Sequence, residues 1–196
     1  FLRFFAFNFS LPKKARPDMV VAMLSQLSTK ADTLDALNLS GSTCFDRIAD
    51  VRLLAPLTNV TWLDLDETKC KSLEGLGELS NLRELSMRYV PVKSLAPLAA
   101  LGELRKLTTS NLKLSDLTPL TQLQKLEELD LSGAACHDLS PLLELKKLKR
   151  LNITRTPITS VEPLAQLENL ELLEAWFVDA DFSPLERLFP KLELST

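Results

Sequence analysis

At 196 residues, with 45% hydrophobic and 25% charged residues and a net charge of −3, the chain is long enough for one domain with an ample core. No apolar stretch approaches the ~20 residues that a helix needs to cross a bilayer, so a membrane-spanning helix is excluded and a soluble protein is expected. The acidic balance also argues against general nucleic-acid binding by the body of the chain.

Residues 1–17 differ from everything that follows. They contain Arg3, Lys13, Lys14 and Arg16, no acidic residue, and five of the nine phenylalanines. Such an arm is electrostatically suited to RNA or to an acidic protein. Its basic, acid-free character resembles the remains of an organelle-targeting presequence, which would imply a mitochondrial location and an organellar or ribonucleoprotein assembly. The alternative is an N-terminal extension packed on the unit that follows. The sequence does not begin with methionine, as expected of a processed form or a fragment. Residues 18–33 read as a capping helix region: Val20, Met23, Leu24 and Leu27 share one helical face, and Asp18 is placed to cap it.

From residue 34 onward one pattern recurs. Val60, Leu82, Leu104, Leu126, Leu148, Leu170 and Leu192 stand 22 residues apart. Around them Leu82-Arg-Glu-Leu85-Ser-Met87, Leu126-Glu-Glu-Leu129-Asp-Leu131 and Leu148-Lys-Arg-Leu151-Asn-Ile153 superimpose. An earlier copy, Leu34-Asp-Ala-Leu37-Asn-Leu39, precedes Val60 by 26 residues, so a four-residue insertion is expected within Phe45 to Asp50. A fixed period of this length predicts one small unit stacked side by side over residues 34–196, each burying its apolar face against its neighbours.

Within a unit, alternation at Leu129 and Leu131 predicts a short strand with both leucines inward and Glu128 and Asp130 outward. The return segments repeat as Ala96-Pro97-Leu98, Thr118-Pro119-Leu120, Ser140-Pro141-Leu142 and Glu162-Pro163-Leu164. Proline suits the first helical position, and Thr118, Ser140 and Ser183 are candidate caps. The expected fold is an α/β solenoid with a parallel sheet on one face and short helical or 3₁₀ turns on the other. The L-x-x-L-x-L core resembles the leucine-rich repeat family over residues 34–194, and its 22-residue period resembles the short subclass found in internalins and in a phosphatase regulatory subunit. The resemblance implies a parallel sheet on a concave face and a role in binding proteins. The asparagine usual in that family is replaced here by Thr68, Val90, Leu112, Ala134, Thr156 and Val178. The turn amides it would serve must find other partners, since each left unpaired costs on the order of 1–3 kcal/mol.

No arrangement of residues points to catalysis, a metal or a cofactor, and the chain is expected not to be an enzyme. Cys44, Cys70 and Cys136 fall in the slot that holds Val92, Leu114 and Ile158, where free cysteine acts as a small hydrophobe. The odd count favours a reducing, intracellular compartment. His137, the only histidine, is expected at the surface. The five glycines form no phosphate-cradling loop. The triplets at Asn8, Asn38, Asn59 and Asn152 are too short to inform.

The strand face is the expected working surface. Glu84, Lys106, Glu128 and Arg150 fall at one position of successive copies, and Arg83, Arg105, Glu127, Lys149 and Glu171 at the preceding one. Strands about 4.8 Å apart would let them neutralise one another laterally. Trp62, Tyr89, Trp176 and Phe177 avoid the leucine slots, as residues that anchor a partner do, or Trp62 and Trp176 cover the two ends of the stack. Candidate partner-binding residues are therefore Trp62, Arg88, Tyr89, Glu128, Arg150, Trp176 and Phe177. The C-terminal edge is expected to be open, since Leu192-Glu-Leu194-Ser-Thr196 leaves little to cover it, and so to receive another chain. A non-enzymatic scaffold or assembly subunit is the leading expectation. An adhesin-like surface protein or the regulator of an enzyme such as a phosphatase, both implied by the resemblance, are the alternatives.

Overall fold

The computed structural model describes Ala22 and residues 35–40, 51–185 and 193–195. The arm of residues 1–17, most of the capping region 18–33 and the insertion expected within Phe45 to Asp50 lie outside the described residues, as does Cys44.

Eight three-residue strands follow one another in chain order: β1 (Ala36–Asn38), β2 (Trp62–Asp64), β3 (Glu84–Ser86), β4 (Lys106–Thr108), β5 (Glu128–Asp130), β6 (Arg150–Asn152), β7 (Leu172–Glu174) and β8 (Glu193–Ser195). They form one parallel sheet in sequential order. The central residue of each strand lies in register with its neighbours, so Leu37, Leu63, Leu85, Leu107, Leu129, Leu151, Leu173 and Leu194 make one row. A one-residue slip would turn every one of them to the opposite face, which is why the row fixes the register. All but Leu194 are buried, each contributing about 1.5–3 kcal/mol of transfer free energy as an upper bound.

Between strands, the chain returns through 3₁₀ turns at Val51–Leu54, Leu76–Glu78, Ala96–Ala100, Thr118–Gln122, Ser140–Glu144, Glu162–Gln166 and Ser183–Leu185. The leucine at the centre of each proline-containing turn, such as Leu98, Leu120, Leu142 and Leu164, is buried behind the strand row. Proline occupies the first turn as the sequence predicts, but the capping expectation is reversed. Thr118, Ser140 and Ser183 do not cap. Their amides donate to the carboxylates of Asp116, Asp138 and Asp181 at 2.8–2.9 Å, because a side chain two residues upstream reaches the exposed amide without turning back on itself. Ser94 and Ser160 accept from Ala96 and Glu162 in the same way.

The missing asparagines are replaced by backbone. After each of β2 to β7 one residue adopts a left-handed conformation: Glu67, Tyr89, Asn111, Arg155 and Phe177 at φ 56–62° and Gly133 at φ 71°. This aims the amides of Glu67, Tyr89, Asn111, Gly133 and Arg155 at a carbonyl of the next repeat, 2.7–3.1 Å away. The following amide closes back three residues, as Ala134 does to Leu131 at 2.9 Å. Thr156 adds a hydroxyl bond to Ile153, whereas the buried Thr68 hydroxyl has no partner.

The last interval departs from the 22-residue period. Leu173 pairs with Leu194, a spacing of 21; Leu192 lies outside the described residues. The residue is lost between Phe177, which stands 22 residues after its equivalent Arg155, and Asp181, which bridges Ser160 at a spacing of 21, so Pro184 arrives one residue early.

Gly75 tests the steric side of this stacking. Its φ is +92°, and a Cβ there would lie 2.6 Å from the Arg52 Cα. Replacing Gly75 with alanine should lower unfolding free energy by roughly 1–3 kcal/mol. The same change at Gly102, where a Cβ meets nothing within 4 Å, should leave the denaturation midpoint nearly unchanged.

Candidate functional site

The outward residues of the strands line up as columns because the sheet is in register. The first column reads Trp62, Glu84, Lys106, Glu128, Arg150, Leu172 and Glu193. The third strand position reads Asn38, Asp64, Ser86, Thr108, Asp130, Asn152, Glu174 and Ser195. Two shallow grooves of about 260 and 270 Å³ lie along this face. One is lined by residues that include Lys106, Glu128, Asp130, Arg150, Asn152 and Leu172, the other by Trp62, Asp64, Asp66, Glu84, Ser86 and Arg88 among others.

Over β4 to β6 the expected charge ladder forms. Glu128 sits between Lys106 at 2.8 Å and Arg150 at 3.2 Å, and Glu127 between Lys149 at 2.9 Å and Arg105 at 3.4 Å. The hydrogen bond and charge of Lys149 hold the Glu127 carboxyl below its usual range, and the same pairing pushes the Lys149 ammonium up. Glu103 is lowered in the same way by Lys125. These groups are exposed, so the pairs neutralise the surface rather than hold the fold. Glu84 is the exception to the ladder: Lys106, its register partner, turns to Glu128.

At the third position, side-chain oxygens accept from the backbone two residues on. Asp64 Oδ1 takes the amide of Asp66, Asp130 that of Ser132 and Asn152 that of Thr154, at 2.8–2.9 Å. Ser110 donates to Asp130, and Asn152 to Glu174. Where β3 offers Ser86, the carboxylate of Asp66 substitutes, accepting from the Ser86 hydroxyl and the Arg88 amide. Partial burial raises the Asp64 carboxyl above its ordinary value against the lowering by the Asp66 amide, with the Asp66 charge adding to the rise and Arg88 opposing it.

The aromatic candidates separate into two places. Trp62 stands in β2, half-buried on the sheet face. Tyr89, Trp176 and Phe177 lie beyond the strand ends and are 61%, 50% and 77% exposed. Arg88 and Trp176 occupy equivalent positions, each two residues past its strand, and Tyr89 and Phe177 take the left-handed position after them. Four strand spacings, about 19 Å, therefore separate the Arg88–Tyr89 pair from the Trp176–Phe177 pair. The structure does not bring Glu128 and Arg150 to these aromatic residues; it joins them to each other through the ladder. Sequence reasoning missed Arg155, whose guanidinium lies 5.2 Å from the Phe177 ring centre, and Asp64, Asp66 and Leu172 in the grooves. A strict 22-residue alignment exposes all four, because it places Leu172 in a charged column and Arg155 one repeat before Phe177.

Among the described residues no group of three His, Cys, Asp or Glu side chains is placed to hold a metal ion, and no helix is long and apolar enough to cross a membrane. His137 is exposed, its Nδ1 lying 3.1 Å from the Pro157 carbonyl. Cys70 and Cys136 are buried, and the Cys70 thiol donates to the Ser72 carbonyl at 2.8 Å. Burial pushes the Cys136 thiol up.

Solved structures share this architecture. The chain is similar to an internalin from Listeria monocytogenes at TM-score 0.76 and 25% identity, over 91% of this chain and 54% of that one. It is also similar to an internalin C2 from the same organism at TM-score 0.62 and 33% identity, over 74% of this chain and 60% of that one. The chain is a leucine-rich repeat protein. A leucine-rich repeat protein of Leptospira interrogans, 22% identical with TM-score 0.69, shares the fold over 95% of this chain and 52% of its own length. This leucine-rich repeat chain thus spans little more than half the length of each of these three solved chains. No family model matches the sequence, and no curated protein matches it.

Two measurements follow from the repeat's buried slot and its polar column. Native thiol labelling of Cys70 and Cys136 should be slow and should accelerate only on unfolding. A raised folded-state carboxyl contributes stability at low pH that is lost as pH rises through its folded value. Asp64→Asn keeps the oxygen that accepts the Asp66 amide and removes that loss. It should therefore leave stability at pH 7 unchanged or raise it by up to about 0.5 kcal/mol, measured by urea unfolding.

Proposed function

We propose that the chain is a non-enzymatic protein-interaction scaffold. The partner is held along the concave strand face and its adjoining edge, where Tyr89, Trp176 and Phe177 act as anchors with Trp62 and Arg88. The single observation that carries this is the placement of the exposed aromatics. Tyr89 and Phe177 occupy left-handed positions that glycine fills in the Gly133 repeat and asparagine in the Asn111 repeat. A bulky side chain there costs the backbone roughly 1 kcal/mol, and its exposure returns almost no burial. Within the described residues Phe177 gains only its contact with Arg155 and Tyr89 no such contact, whereas aromatic area at a surface is what dominates protein interfaces. Glu128 and Arg150 supply polar complementarity in the centre rather than anchoring energy.

A place in a larger organellar or ribonucleoprotein assembly rests on Arg3, Lys13, Lys14 and Arg16 alone, all outside the described residues. The second reading, an adhesin-like surface protein, draws support from the likeness to internalins. A phosphatase-regulator role draws only on the resemblance of repeat length.

Tyr89→Asn and Phe177→Asn separate folding from binding. Each variant should melt at or slightly above the parent temperature, with a gain of about 0.5–1 kcal/mol for Tyr89 and less for Phe177, which gives up its contact with Arg155. Each should also reduce recovery of the native partner in a cross-linking pull-down from source cells. Undiminished recovery, or a large loss of stability, would assign both aromatics to the fold.

A further inference from the structure

The concave face is unevenly matched in charge. Over β4 to β6 each carboxylate of the ladder lies between cations of both neighbouring strands. Over β2 and β3 the matching stops. Lys106 is drawn away to Glu128, and among the described residues Glu84 has no ion pair. Asp64 has none either; its Oδ1 is occupied by the Asp66 amide. The cation of this corner, Arg88, lies 3.9 Å from Asp66. Asp64, Asp66 and Glu84 thus face a groove of about 270 Å³ with Arg88 and Lys106 at its side, and Trp62 forms part of the wall. Two carboxylates beside an indole favour a cation twice over, by charge and by the ring's negative face. Partial burial holds Asp64 incompletely solvated, so an arriving cation displaces little water from it.

We propose that this N-terminal half of the concave groove docks an extended, basic segment of a partner protein, one of whose lysine or arginine side chains lies against Trp62 between Asp64 and Glu84. The inference rests on the scaffold reading above and adds the chemistry of the partner. Charge complementarity selects the occupant: an acidic segment would bring like charge to a corner that already holds two unmatched carboxylates. An extended backbone lying along the groove presents same-face side chains about 6.6 Å apart, so one residue can enter the corner while the next same-face residue reaches the paired surface of β4 and β5.

The test uses the full chain carrying Trp176→Phe, so that Trp62 alone reports by fluorescence. The probes are two acetylated hexapeptides of alternating valine and lysine or alternating valine and glutamate. The lysine peptide should change Trp62 emission saturably and the glutamate peptide should not. Asp64→Asn with Glu84→Gln should weaken the lysine peptide by about tenfold, and raising salt should weaken it further. Asp64→Lys should in turn admit the glutamate peptide, which a merely damaged fold would not do. Equal response to both peptides, or indifference to the carboxylate changes, overturns the proposal. So does binding that appears only when Lys13, Lys14 and Arg16 are replaced by glutamine, which would make the chain's own arm the occupant. A concentration-dependent change in Trp62 emission without peptide would assign the groove to a second copy and overturn it equally. Peptide binding with native-partner recovery untouched by Tyr89→Asn and Phe177→Asn would defeat the scaffold anchors alone. Lost recovery without peptide binding would defeat the basic-segment inference alone.

Discussion

Lateral stacking of the leucine rows is the constraint on which the rest of the molecule depends. A three-residue strand buries one side chain and could not persist alone. Its stability comes from the repeats on either side, which close its backbone bonds and complete the layer around Leu85, Leu107 or Leu129. That dependence makes the register almost inviolable, since the inward residue of each strand has no other place to go. It also explains why the final repeat can lose a residue: the shortening falls in the loop between Phe177 and Asp181, and the strand pairing of Leu173 with Leu194 is preserved.

Register then organises everything polar. Side chains that are unrelated along the chain become neighbours at one strand spacing, so Arg105, Glu127 and Lys149 form a row although 22 residues separate each from the next. The same geometry explains why the ladder is local rather than continuous. Lys106 has a carboxylate on each side, at Glu84 and at Glu128, and its single ammonium settles on the latter. Glu128 takes a second cation from Arg150. An alternating sequence of charges therefore does not guarantee alternating pairs, and the remainder at β2 and β3 is a property of the folded sheet.

What the sequence made legible follows from period and alternation. The strand row, the buried cysteine slot at Cys70 and Cys136, and the proline-initiated turns all repeat in phase, and each depends only on which face a residue must bury. The caps were misread because Thr118, Ser140 and Ser183 have the right side chains for the role, while Asp116, Asp138 and Asp181 hold the better position two residues upstream. Leu192 lies outside the described residues, and the fixed period that names it does not register the residue lost between Phe177 and Asp181. The grooves were only partly legible: Trp62 and Arg88 stood out by residue type, whereas Asp64 and Asp66 look like ordinary surface acids until the register sets them beside the indole.

The left-handed column shows how fold and surface are separable in this architecture. Six repeats share one backbone conformation at that position, with Glu67, Tyr89, Asn111, Gly133, Arg155 and Phe177 in the place. The conformation is imposed by the stack, because in five of them it delivers an amide to the carbonyl of the next repeat. The side chain is not imposed. Glycine and asparagine meet the backbone requirement with least strain, so any larger residue there is held against local preference. At Arg155 and Phe177 two such residues meet across adjacent repeats as cation and ring, which recovers part of the strain for each. Tyr89 has no such neighbour, since Glu67 and Asn111 flank it. Its 61% exposure leaves the strain uncompensated among the described residues, as the proposed contact with a partner would require.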